Sequence, residues 1–176
     1  LTRFTGIDQL TPLLALYNQT GDADTHLKYT ALLGIRDNLR NKQVMQQVAT
    51  RKWDDKQLEV LTKAMLDAPG QEAATFVLNY LRTHELPPPQ LLASLEYIGR
   101  YGGAASQDPL IALIQKKFSG DMDTQFRLFN IIRSGVTQSG GHLTSRMQQW
   151  GVAMAHRFLE NISETGDTWK NKPLQR

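Results

Sequence analysis

The chain has 176 residues, 40% of them hydrophobic and 21% charged, which is enough to bury a core and too apolar for a disordered tail. Lys and Arg number 20 against 17 Asp and Glu, and a net charge of +3 is a weak field for a nucleic-acid binder. The absence of Cys excludes disulfides, thiolate metal sites, Cys nucleophiles and covalent haem attachment, and no apolar run approaches the roughly 20 residues of a membrane span.

With 24 Leu, 15 Gln and 14 Ala against 8 Ile and 6 Val, the composition leans to helix. The spacing predicts a first helix over about 8 to 18, carrying Leu10, Leu13, Leu14 and Tyr17, with Thr11 as cap and Pro12 at the first helical position. Asp24 or Thr25 caps a second, striped by Leu27, Ala31, Leu32, Ile35 and Leu39. A short piece covers 44 to 48. Trp53 staples the start of a helix capped by Asp54 or Asp55, with Leu58, Leu61, Met65 and Leu66 inward. Pro69-Gly70 ends it, and a partner follows with Ala73, Phe76, Val77, Tyr80 and Leu81. The Pro87-Pro88-Pro89 run introduces the next helix, with Leu91, Leu92, Leu95 and Ile98, and Gly102-Gly103 closes it. Asp108-Pro109 reads as the cap and first residue of another, which Gly120 ends. The last two are expected over about 122 to 136 and 143 to 162.

A period of 34 residues runs through the central part. It relates Leu58, Leu92 and Phe126; Leu61, Leu95 and Phe129; and Ala64, Ile98 and Ile132. The expected fold is therefore all-α: an α-solenoid of antiparallel helix pairs of HEAT-like type, with an irregular helical bundle as the alternative. The front pair covers 8–40, regular pairs cover 54–84, 88–118 and 122–162, and 163–176 forms a polar tail or a linker to a further domain. Leu58, Leu61, Phe76, Leu92, Leu95, Ile98, Phe126 and Phe129 are expected to form one buried ridge. Trp169 is expected to dock on the last helix or on a following domain. A start at Leu1 without Met suggests a piece of a longer chain.

No catalytic, cofactor or metal residues emerge. His26, His84, His142 and His156 lack ligand spacing, Gly102-Gly103 and Gly140-Gly141 lack the sequel of a phosphate loop, and Asp54-Asp55 and Asp121-x-Asp123 stand where caps are expected. In stacked helix pairs the second helices line the concave side. Arg82 and Lys116 are one repeat apart there, with Lys117 adjacent, so these three cations are the expected partner-binding residues.

Two stretches resemble a known group: Trp53-Asp54-Asp55-Lys56-Gln57-Leu58 through Arg82, and Leu86-Pro87-Pro88 through Gly102. They resemble the helical-repeat segment of large, multidomain, exported bacterial proteins of the sugar-dehydrogenase-like and haem-binding type. The resemblance implies a periplasmic or secreted address and a spacer or docking role, with no cofactor on this segment. The expected function is a non-catalytic scaffold or protein-interaction segment, whose partners are another protein or neighbouring domains. The alternatives are a small helical enzyme or ligand-binding domain with dispersed site residues, and a nucleic-acid-binding HEAT-like protein.

Overall fold

A computed structural model describes residues 6–169, and side chains as far as 160. Among the described residues nine helices account for the regular structure, and no strand occurs. They are α1 (Ile7–Gln19), α2 (Thr25–Leu39), α3 (Lys42–Thr50), α4 (Asp55–Met65), α5 (Gln71–Thr83), α6 (Pro88–Tyr101), α7 (Gly103–Lys117), α8 (Met122–Gln138) and α9 (Ser145–Trp169).

Caps set several of the starts. Asp24 accepts from the Leu27 amide at 3.0 Å, and Asp121 from the Thr124 amide at 2.9 Å. Asp54 and Gln57 close a reciprocal capping box on α4. Pro88 fills the first position of α6, where a missing N–H costs nothing.

Two prolines lie elsewhere than expected. Pro12 is inside α1, which begins at Ile7 behind Gly6, because burial of Leu10 and Leu14 on one face outweighs the hydrogen bond Pro12 cannot make. Pro109 is likewise inside α7, which does not start at Asp108. Gly103, at φ 66°, reverses the chain directly after α6 and allows the earlier start. The added turn buries Gln107, whose amide donates to the His142 carbonyl at 2.9 Å and accepts from the Thr144 N–H at 2.7 Å. That glutamine clamps the α8–α9 loop to α7. At the other end, α9 continues past 162 to Trp169, so the segment expected as a tail from 163 begins as helix. The docking expected of Trp169 lies outside the described side chains.

Within the pairs α2–α3, α4–α5, α6–α7 and α8–α9 each helix touches its partner, and α3, α5, α7 and α9 touch in succession. On the other side α2 packs on α4 and α6 on α8, while the backbones of α4 and α6 stand apart and α5 packs on α6. Tyr97 reaches from α6 to the α4–α5 turn, where its buried hydroxyl donates to the Ala68 carbonyl. One continuous apolar core runs from Leu10 to Met154.

The 34-residue series divide by depth. Leu61, Leu95 and Phe129 are buried, as are Ala64, Ile98 and Ile132. Leu58, Phe76 and Leu92 are half-buried and Phe126 is 38% exposed, so of the expected ridge Leu61, Leu95, Ile98 and Phe129 are buried. Leu58 is the fourth residue of α4, and Leu92 and Phe126 are the fifth residues of α6 and α8. Leu27, in the first turn of α2, is also 38% exposed.

Candidate functional site

The turns at one end of these helices leave a groove of about 500 Å³ where the α5–α6 linker, the start of α6, the end of α7 and the start of α8 converge. Leu86, Leu91, Leu92, Phe118 and Leu128 supply its apolar surface; Lys117, Arg127, Glu85 and Thr124 supply its polar groups. The local sequence explains the shape. Pro87 brings the chain extended to the start of α6, whose first two residues are Pro88 and Pro89, and Gly120, at φ 83°, turns it tightly between α7 and α8. The Gln125 side chain donates to the Phe118 carbonyl at 2.8 Å and ties the two walls together. The Thr124 side chain, and then its backbone amide, hold the Asp121 carboxyl below its ordinary range at this turn.

A smaller recess of about 230 Å³ lies between the end of α3, α4 and α5. Leu58 lines it as Leu92 lines the larger groove, 34 residues on. Here the walls are aromatic. Trp53, Phe76, Tyr80 and His84 face the space, and the Arg51 guanidinium lies 4.8 Å from the centre of the Trp53 ring. The Trp53 indole N–H donates to the Val48 carbonyl, and the Tyr80 and His84 rings stack at 4.1 Å. His84 Nε2 lies 3.5 Å from Asp55 Oδ1 across the α4–α5 pair. Desolvation, with the carboxylates of Glu59 and Asp55, raises the Tyr80 phenol above its ordinary value.

Of the three cations expected at a partner surface, Lys117 edges the groove, and its Nζ donates to the His84 carbonyl at 3.0 Å. Arg82 and Lys116 are exposed in the last turns of α5 and α7 and do not line it; Arg82 donates to Asn79 at 3.0 Å. The reason is helical. Successive residues point about 100° apart, so Lys116 and Lys117 cannot share one face, and the repeat equivalent of Lys117 is Thr83, not Arg82. Arg127 is the groove cation that the sequence reading missed. Its signal is only its place one turn before the inward Ile131, on a helix whose inward face alone was traced.

The residues considered for chemistry stay dispersed. His26, His142 and His156 are exposed, and no group of three or more metal-ligating side chains occurs among the described residues. Asp108 pairs with Arg146 at 3.5 Å, linking α7 to α9. No helix among the described residues is long and apolar enough to cross a membrane. No family model, curated protein or solved structure matches this chain.

Proposed function

We propose that the chain is a non-catalytic helical-repeat segment, a HEAT-like α-solenoid of a larger exported protein, that holds a protein partner or neighbouring domains. The observation that carries this reading is the succession of α3, α5, α7 and α9, each touching the next, with repeat-related recesses at Leu58 and Leu92. Elements stacked in this way present the same local surface again at each step, which suits an extended contact with another chain. The placement of the segment in an exported multidomain protein follows from the resemblance of Trp53–Arg82 and Leu86–Gly102 alone.

A photo-crosslinking amino acid placed at Leu92, compared with the same group at the exposed Tyr29 on α2, tests the interaction role in the producing cell. The expected result is one protein or neighbouring-domain adduct at position 92, identified by mass spectrometry and missing at 29. Adducts to nucleic acid, or turnover of a small molecule by the purified chain, would overturn the reading in favour of a nucleic-acid binder or an enzyme.

A further inference from the structure

We propose that the groove between the first turns of α6 and α8 receives an acidic segment of a protein partner, bearing large apolar side chains flanked by Asp or Glu. This inference rests on the interaction role argued above and adds the chemistry of the partner.

The apolar part of the occupant is set by the floor. Leu86, Leu91, Leu92 and Phe118 all remain half-buried, around a volume of about 500 Å³ that is open to solvent. That volume takes two or three large side chains. Only one hydroxyl and three charged groups border it, too few converging polar groups to orient a small polar metabolite.

Charge sets the rest. Arg127 makes no ion pair or hydrogen bond among the described residues, and Lys117 spends one donor on a backbone carbonyl and keeps two. Glu85 is the single carboxylate among the lining residues. Lys116 adds a further positive charge one residue from the groove. Asp121 and Asp123 stand at the start of α8, but neither lines the groove, and the Asp121 carboxylate is bound to Thr124. The lining therefore carries a surplus of one positive charge, with a guanidinium free to grip a carboxylate through two N–H groups. A basic segment would meet Arg127 and Lys117 unpaired; an acidic one satisfies both and places its apolar side chains on Leu92 and Phe118.

The test is selection of peptides on the intact chain from a displayed library of random dodecapeptides. Binding of the synthesised winners is then measured by fluorescence anisotropy at two salt concentrations. Winners rich in Asp and Glu with Leu, Phe or Trp are expected, and their affinity falls as salt rises. The double variant Lys117→Glu/Arg127→Glu, folded by circular dichroism, is expected to lose at least tenfold in affinity, and Lys42→Glu on α3 to lose none. Neutral or basic winners, no winners, or acidic winners that bind the double variant unchanged would each overturn the proposal. So would saturable binding of dodecanoate at the groove without any peptide winner, which assigns it to a small amphiphile. Acidic winners insensitive to the groove variant leave the interaction role standing, because that role is judged separately by the crosslink at position 92.

Discussion

Gly99 and Gly135 face each other across the crossing of α6 and α8, and each leaves room for the other helix's backbone. A Cβ on Gly99 would lie 2.5 Å from the Ile132 carbonyl oxygen, and a Cβ on Gly135 nearer still to that of Glu96. The two helices that frame the groove are therefore held at a separation only glycine permits. Gly135→Ala is expected to destabilise the chain by about 1–3 kcal/mol, the usual cost of overpacking, although alanine is the better helix former. Gly21, with nothing within 4 Å of an added Cβ, provides the control: Gly21→Ala is expected to leave the urea midpoint unchanged. Equal midpoints for Gly135→Ala and Gly21→Ala would mean that the crossing is looser than described.

Leu95 and Phe126 separate the inner and outer positions of the repeat. Leu95 is fully buried and Phe126 is 38% exposed, resting edge-on against Phe158 at 5.2 Å. Leu95→Ala is expected to cost roughly 2–5 kcal/mol, as for a filled core site. Phe126→Ala should cost well under half as much, because much of the ring is already in water. Denaturant unfolding of the two variants measures the difference, and a reversed order would shift the register of α8.

Much of this division was legible in the sequence. The 34-residue period located Leu61, Leu95, Ala64, Ile98 and Ile132, because a helix facing its neighbours must repeat its apolar face wherever the neighbours repeat. The period does not report how far each of its positions is covered: Phe126 is 38% exposed, while Leu128 and Phe129 beside it are buried. Pro109 misled for a related reason. It is a strong local start signal, but the start of α7 is set by Gly103 and by the contacts of Gln107 with the α8–α9 loop, about 35 residues away. The groove was the least legible part. It forms between the α5–α6 linker and the α7–α8 turn, and Arg127 enters it from a helix that is adjacent in space through the Gly99–Gly135 crossing.

Tyr97 joins α6 to the α4–α5 turn through one buried hydrogen bond to the Ala68 carbonyl. Tyr97→Phe leaves that carbonyl without its partner, at an expected cost of about 1–3 kcal/mol. Burial, with a smaller effect of Tyr101, pushes the Tyr97 phenol far above its ordinary value. The folded state thus keeps this proton at a pH where the unfolded chain has released it. The contribution is fully present below the unfolded phenol value of about 10 and declines as pH rises above it. Wild type is expected to lose more stability than Tyr97→Phe between pH 9 and 11 in urea titrations. Parallel losses would show that Tyr97 is not the group responsible; Tyr80, raised in the same direction, is the next to replace.

The capping box at the start of α4 gives a local test. Asp54 accepts from the Gln57 amide at 2.8 Å, and the Gln57 side chain accepts from the Asp54 amide at 3.2 Å. Asp54→Ala is expected to cost about 0.5–2 kcal/mol. Asp54→Ser, which keeps a side-chain acceptor, should recover most of it. Failure of serine to recover stability would assign the effect to charge at the helix terminus.

Arg82 and Lys116 occupy equivalent places in the last turns of α5 and α7, where a cation is favoured by the helix dipole. Both side chains are exposed, and the hydrogen bond from Arg82 to Asn79 is local to one turn of α5. Reversing both charges, Arg82→Glu/Lys116→Glu, is therefore expected to lower stability by no more than about 1 kcal/mol. The same variant separates long-range attraction from contact in the groove. These side chains do not line it, so an acidic peptide should associate more slowly with the variant, dissociate at an unchanged rate, and lose the difference at high salt. Lys117→Glu/Arg127→Glu, which alters the groove itself, should instead accelerate dissociation. Stopped-flow association and dissociation rates distinguish the two, and faster dissociation from Arg82→Glu/Lys116→Glu would place these cations in the contact rather than beside it.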